Sequence, residues 1–229
     1  MKKIAIILTC HNRLIKTRKC LNKIFGLKRD LNIKLDIYLT DDGSKDGTSD
    51  YIKKNFPKIK ISKGDGNLFW AGGMRLAWKN AEKKNHDYYL WLNDDVYLYE
   101  NFTYFLLKDI ENIEKNKKIK KYIISYPTFC SKTKSQSTGA KNLIDNIFKF
   151  RFSPVKKKKN LNVCDTFNGN CVLITSKTFS VVGNLDKNYT HRFADFDYGL
   201  MAKKKGVINY FSNKYAGICF IDNKKKYSK

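Results

Sequence analysis

Acidic residues are scarce in this chain, which carries 21 Asp and Glu against 46 Lys and Arg, so the places where acids gather draw attention. Three groups stand out: Asp41, Asp42 and Asp46 in LTDDGSKDGT, Asn93, Asp94 and Asp95 in LWLNDDVYL, and Asp195 and Asp197 in FADFDYG. Adjacent carboxylates leaving an apolar run repel one another and resist desolvation unless a cation sits beside them. Oxygen ligands suit a hard divalent ion, Mg²⁺ or Mn²⁺, which keeps some of its waters and bridges substrate phosphates. A diphosphate ligand is therefore the expected companion of the Asp94 and Asp95 segment. Each acidic group also has a plainer use, because Asp in D-G-S and D-G-T sequences caps turns and Asp at a helix start offsets the dipole.

A glycine-rich segment, GNLFWAGGMRLAW, adds a second kind of chemistry. Gly72 and Gly73 fall at an expected helix start, where unpaired backbone N–H groups favour anions, and Arg75 follows closely. The same segment also reads as a helix entry with Phe69 and Trp70 in the core.

The elements that must hold these groups follow from hydrophobic patterning. Apolar β-rich runs at residues 4–9, 35–39, 59–62 and 88–92 alternate with helical spacing at 14–26, 48–56 and 74–84. That rhythm predicts a mainly parallel α/β sheet, whose ligands sit beyond the carboxyl ends of the strands, where the acidic and glycine-rich groups lie. The second half is less regular. It offers a helix at 101–116, strands at 122–126, 171–175 and 208–211, and helices at 176–182 and 195–205. The polar, basic stretch 131–163 with Lys156 to Lys159 reads as an exposed loop or lid, and the terminal KKKYSK as a frayed tail.

Taken in order, these motifs resemble the inverting glycosyltransferases of family 2, which have the GT-A fold. ILTCHNR resembles the first strand and nucleotide loop, and LTDDGSKDGT the second-strand acidic motif. NLFWAGGMRLA followed by LWLNDDV is similar to the Gly-Gly helix entry and DxD-type metal motif of rhamnosyltransferase-like members. FNGNCVLITSKTFSVVGNLD and FADFDYGLMAKKKG are similar to the acceptor-side strand and late acidic helix. The resemblance implies one Rossmann-like GT-A domain over 1–229, α/β, with a mainly parallel mixed central sheet flanked by helices. Residues 1–100 would form the nucleotide-sugar half, and 101–229 the acceptor half with its basic loop and tail.

The resemblance also implies roles. Thr9, Asp41 and Asp42 would bind base and ribose, and Arg13 and Arg75 would contact the pyrophosphate, near Gly72 and Gly73. Asp95 would hold a divalent metal, Mn²⁺ or Mg²⁺, with Asn93 and Asp94 in support. Asp195 would be the catalytic base, taking the acceptor hydroxyl proton while the metal steadies the leaving diphosphate. Asp197 reads as a cap or supporting acid. Ala194 and Asn93 stand where the family often carries acids, and no His follows Asp197, where several members carry one near the metal. His191 reads as an exposed loop residue, and the tryptophans 70, 78 and 91 mainly as core.

Composition narrows the partners. Hydrophobic residues at 42% and aromatics at 14% place the chain among globular proteins despite 29% charged residues. The basic residues are forty Lys and six Arg, which spread a diffuse positive field of +25. A nucleotide-diphosphate sugar donor, a glycan or lipid-linked glycan acceptor and peripheral contact with an anionic membrane all suit it. A catalytically silent binder of nucleotide sugars or glycans is one alternative. A basic nucleic-acid-binding α/β protein is another, but no helix-turn-helix, RNP or zinc-finger pattern supports it, so no nucleic acid is expected. The short apolar start lacks a cleavage site, no run is long enough to span a bilayer, and the six cysteines include no C-x-x-C pair. A cytoplasmic protein with reduced thiols, possible at the inner membrane face, is the resulting expectation.

Overall fold

The computed structural model describes residues 1–28, 32–116, 119–144 and 151–220. Its centre is an eight-stranded sheet. The first half supplies β1 (Lys2–Cys10), α1 (Leu14–Phe25), β2 (Ile33–Asp41), α2 (Thr48–Asn55), β3 (Lys60–Lys63), α3 (Phe69–Ala81) and β4 (Tyr88–Leu92). Then come β5 (Tyr97–Leu98), α4 (Phe102–Glu111), β6 (Tyr122–Ser125), β7 (Thr128–Cys130), β8 (Ser135–Thr138), β9 (Ala140–Ile144) and β10 (Arg151–Pro154). The chain continues with β11 (Asn162–Val163), β12 (Thr166–Phe167), β13 (Cys171–Thr175), α5 (Ser176–Val182), α6 (Ala194–Lys204), β14 (Ile208–Phe211) and β15 (Gly217–Ile218).

The order across the large sheet is β11-β14-β6-β13-β4-β1-β2-β3. Strands β4, β1, β2 and β3 run parallel, whereas β13 is antiparallel to both β4 and β6. The mixed α/β architecture is thus the expected one. Helices cover both faces, so β1 is buried on both: Ile4, Ile6 and Leu8 enter one core cluster, and Ala5 and Ile7 the other. Helix α1 buries Thr17, Cys20, Leu21 and Ile24, the one-sided spacing that seats a helix on a sheet. On the opposite face Trp78 of α3 packs edge-on against Trp91 of β4 at 5.3 Å between ring centres.

Two smaller sheets extend the second half, in the orders β10-β9-β12 and β5-β15-β7-β8. They correct the reading of 131–163 as an exposed loop. Strand β9 pairs with β12 through its first two residues and with β10 through the rest, with Ala140 buried at its start and Asn142 and Ile144 exposed further along the same face. Among the described residues of this stretch, the turn at 131–134 and the run from Lys156 to Asn160 keep the irregular, largely exposed character expected of it. The terminal KKKYSK lies outside the described residues. All six cysteines are buried, and none is in a disulfide.

Candidate active site

Because β1, β2 and β4 are parallel, their carboxyl ends meet at one edge of the sheet. There the Arg13 guanidinium bridges two carboxylates, with Nη1 at 3.0 Å from Asp94 Oδ1 and Nη2 bonded to Asp95. Thr17, one turn into α1, donates its hydroxyl to the other Asp94 oxygen at 2.9 Å. Burial pushes the Asp94 carboxyl up to about 6; Arg13 opposes the shift, Asp95 adds to it and the Thr17 bond opposes it. Asp94 is therefore a buried anchor. Asp95 is more open, with 22% side-chain exposure against 3% for Asp94, and its Oδ1 accepts from the Cys219 thiol at 3.8 Å. Neither Thr17 nor Cys219 stood out in the sequence, although a threonine on the buried face of an amphipathic helix is a signal in itself.

The other acids at this edge hold the chain. Asp42 accepts from the backbone N–H groups of Gly66 and Phe69, both at 2.9 Å, and is 2% exposed. Asp41 accepts from Ser44 N–H at 3.0 Å and from the Ser49 hydroxyl. Asp46 accepts from Leu14 N–H at 2.8 Å and so tethers the start of α1. Thr9 bonds the Thr40 carbonyl at 3.2 Å.

Helix α3 starts at Phe69, five residues before the expected Met74, and this changes the role of its glycines. Gly72 N–H already bonds Leu68 carbonyl at 3.0 Å, so Gly72 and Gly73 lie within the helix and are not an open anion cradle. The first-turn amides of Phe69 and Ala71 go to Asp42 and to the Thr190 carbonyl. Gly73 serves close packing: a Cβ there would lie 2.0 Å from Thr9 Oγ1. Arg75 donates to the carbonyls of Asp186 at 2.9 Å and Tyr189 at 2.6 Å, bracing the loop ahead of α6.

A pocket of ≈ 330 Å³ opens beside this edge, lined among others by Trp70, Asn93, Asn168, Asn170, His191 and Asp195. It joins the two halves of the chain. Asn93 follows β4 and accepts the Trp70 indole N–H at 2.8 Å, while Asp195 comes from the first turn of α6. Asp195 accepts from Gly169 N–H at 2.8 Å and Phe196 N–H at 3.0 Å. Burial nonetheless raises its pKa above the ordinary carboxylate value, with those backbone bonds pulling the other way. A desolvated carboxylate that borders a pocket is placed to accept a proton from a bound hydroxyl. Phe69 and Phe193 flank the same region with φ of 52° and 67° and exposures of 54% and 64%. Bulky residues rarely adopt positive φ, and such strain collects at functional sites. Phe69, read from the sequence as core, is thus exposed beside the pocket, and no sequence signal marked the strain, because strain depends on the backbone. Exposed His191 lies 6.1 Å from Phe69, ring centre to ring centre.

A family model described as Glycosyl transferase family 2 matches residues 5–174. The chain belongs to this family. The match includes the Asp41, Asp42 and Asn93–Asp95 positions but ends before Asp195. No curated protein matches the chain in sequence. Among solved structures, S. aureus TarS is similar at a TM-score of 0.66 and 12% identity, over 96% of this chain and 37% of its own. A mannosyltransferase from Pyrobaculum calidifontis, PcManGT in complex with GDP-Man and Mn2+, is similar at a TM-score of 0.62 and 12% identity, over 98% and 58%. TarS 1-349 in complex with UDP gives 0.62 and 13%, over 96% and 61%. The chain therefore shares the GT-A fold of this glycosyltransferase family while spanning 37% to 61% of the length of these structures.

The residues present suit a divalent metal in one arrangement. Among the described residues no three His, Cys, Asp or Glu side chains surround a metal-sized space, and Arg13 already serves Asp94 and one oxygen of Asp95. Asp95 can supply one oxygen, and a hard ion would take its other ligands from a diphosphate and water.

Proposed function

We propose that this chain is an inverting glycosyltransferase, moving a sugar from a nucleotide-diphosphate sugar to a hydroxyl of a glycan or lipid-linked glycan. The carrying observation is the pocket that Asn93 and Asp195 share, since it sets the strand edge of the donor half beside a desolvated carboxylate of the acceptor half. Asp195 takes the proton of the acceptor hydroxyl, whose oxygen bonds to the anomeric carbon from the side opposite the diphosphate. The bond from that carbon to the diphosphate oxygen breaks with inversion. Asp95 would hold a divalent ion, which would supply charge stabilisation to the departing diphosphate. Arg13 keeps Asp94 and Asp95 in place, and Trp70 orients Asn93.

GDP-Man, UDP and Mn2+ in the neighbours' complexes support a nucleotide-sugar donor and a metal. Asp41, Asp42 and Thr9 act on the donor through the loops they shape, with their side chains engaged as described. The amide-rich lining from Asn93, Asn168 and Asn170 suits a polyhydroxylated acceptor. No helix among the described residues is long and apolar enough to cross a membrane, so affinity for an anionic membrane surface would rest on the +25 charge.

The test is thermal stability against UDP, GDP, dTDP and CMP, each with Mn²⁺, Mg²⁺ or EDTA. A ligand bound to the folded state raises the melting point. One nucleotide giving a selective rise that EDTA abolishes is the expected result. No rise with any of them would sink both the transferase and the silent nucleotide-sugar binder; a rise without turnover in any acceptor mixture would favour the silent binder.

A further inference from the structure

A second cavity, ≈ 970 Å³, shares no lining residue with the pocket of Asp195. Its floor is the antiparallel pair β5–β15, where Tyr97 faces Ile218 and Leu98 faces Gly217. Only glycine permits this floor, since a Cβ at Gly217 would stand 2.1 Å from the Tyr97 carbonyl. Its walls come from α1 and from the segments before α4 and β15. Lys19, Lys23, Lys28 and Lys214 line it against a single carboxylate, Glu100. Three tyrosines, 97, 99 and 215, and the amides of Asn22 and Asn101 complete its polar surface.

The basic residues continue beyond the rim in an organised way. Lys214 Nζ stands 5.7 Å from the Phe105 ring centre and Lys157 Nζ 3.2 Å from that of Tyr215. The Lys156–Lys159 run is held there through Asn213, which donates to the Lys159 carbonyl. Lys157 of this run thus adds its charge to the groove at Tyr215.

The geometry points to a binding site, distinct from the Asp195 pocket, for an anionic saccharide chain bearing carboxylate or phosphate groups. The concave shape suits a chain more than a flat bilayer. Lysine ammonium groups supply charge pairing, and tyrosine hydroxyls and asparagine amides supply hydrogen bonds to sugar hydroxyls. Stacked nucleic-acid bases would need open ring faces, yet Lys157 covers Tyr215, and Phe129 approaches its ring at 5.4 Å. The site is independent of the donor chemistry proposed above, and its test needs no turnover.

Binding of a fluorescent oligogalacturonate is measured by anisotropy for three proteins: the wild type, K23E/K214E, and K53E/K54E, which makes the same charge change on exposed residues of α2. The groove variant should lose about tenfold or more in affinity, equal to about 1.4 kcal/mol, and the α2 variant clearly less. Tyr215→Ala, which leaves the charge unchanged, should also weaken binding. Equal losses from the two double variants would show that only the overall field acts and would overturn the site. So would equal binding of an uncharged dextran oligomer. Groove-dependent binding of a single-stranded oligonucleotide or of phosphatidylglycerol vesicles, with none of the oligogalacturonate, would overturn its assigned class. Circular dichroism melts of all variants confirm that the comparison is between folded proteins.

Discussion

Asp42 and Asp195 are both carboxylates near one edge of the same sheet, and each accepts two backbone N–H groups. Their partners make the difference. Asp42 ties together Gly66 and Phe69, residues 24 and 27 positions ahead of it, so its charge shapes the entry to α3. Asp195 accepts from Gly169 and from its own neighbour Phe196, and it faces an open pocket while burial holds its pKa up. A carboxylate that shapes a loop is enclosed by it. A carboxylate that does chemistry is desolvated but retains access to a reactant.

Exchanging each acid for its amide breaks the comparison most directly. Asp195→Asn cannot take the acceptor proton, so transfer should fall by about 10²- to 10⁴-fold, the usual contribution of a general base. Nucleotide-induced stabilisation should persist, because the donor side is untouched. Transfer assays beside melting shifts with whichever nucleoside phosphate stabilises the wild type read both effects; retained turnover would remove Asp195 from the mechanism. The pH profile sharpens the same point. A base must be deprotonated, and burial raises the Asp195 pKa, so kcat/KM should fall as pH drops through an inflection above 3.8. An inflection at or below that value would mean the pocket is wetter than its geometry implies.

Asp42→Asn should act in the opposite sense, on the fold first. The amide can accept from only one of the two backbone groups and turns a donor toward the other. Leaving one buried N–H unpaired costs about 1–3 kcal/mol. In a chain of this size that lowers the melting point by several degrees, at about 2–4 °C per kcal/mol. A calorimetric scan of the variant beside Asp195→Asn tests the contrast; if Asp195→Asn is the more destabilised of the two, the assigned roles are reversed.

Sequence made the first half legible because both its signals are local. Continuous apolar runs mark strands buried on two faces, and acids after them mark the sheet edge, as with Asp41, Asp42 and Asn93–Asp95. The second half resisted because its order comes from pairing between distant short segments. Strand β12 has two residues, and nothing within Thr166–Phe167 announces that β9 will pair with them. The start of α3 was missed for a related reason: Phe69 N–H is capped by Asp42, a residue 27 positions away, and not by a neighbouring side chain. The presence of Asp195 was legible, but its burial, its Gly169 partner and the flanking Phe193 were properties of the folded chain.

Phe193 offers the smallest and most diagnostic test. It is the N-cap residue of α6 with φ of 67°, a conformation that glycine adopts freely and a bulky side chain does not. Its ring is 64% exposed, touches Phe196 at 6.2 Å and lines the Asp195 pocket. If the strain is retained for substrate, the side chain should matter more to binding than to folding. Phe193→Gly should therefore raise stability by about 1 kcal/mol as the left-handed backbone is relieved. The same change should weaken acceptor binding about 3- to 10-fold, the range expected for losing one aromatic contact. Melting curves and acceptor KM are the two readouts, with kcat for the bound acceptor little changed. A variant that gains stability and keeps its KM would show that the exposed ring contributes nothing to the site, whereas a loss of both would make Phe193 a packing residue whose backbone conformation is imposed by the fold around it.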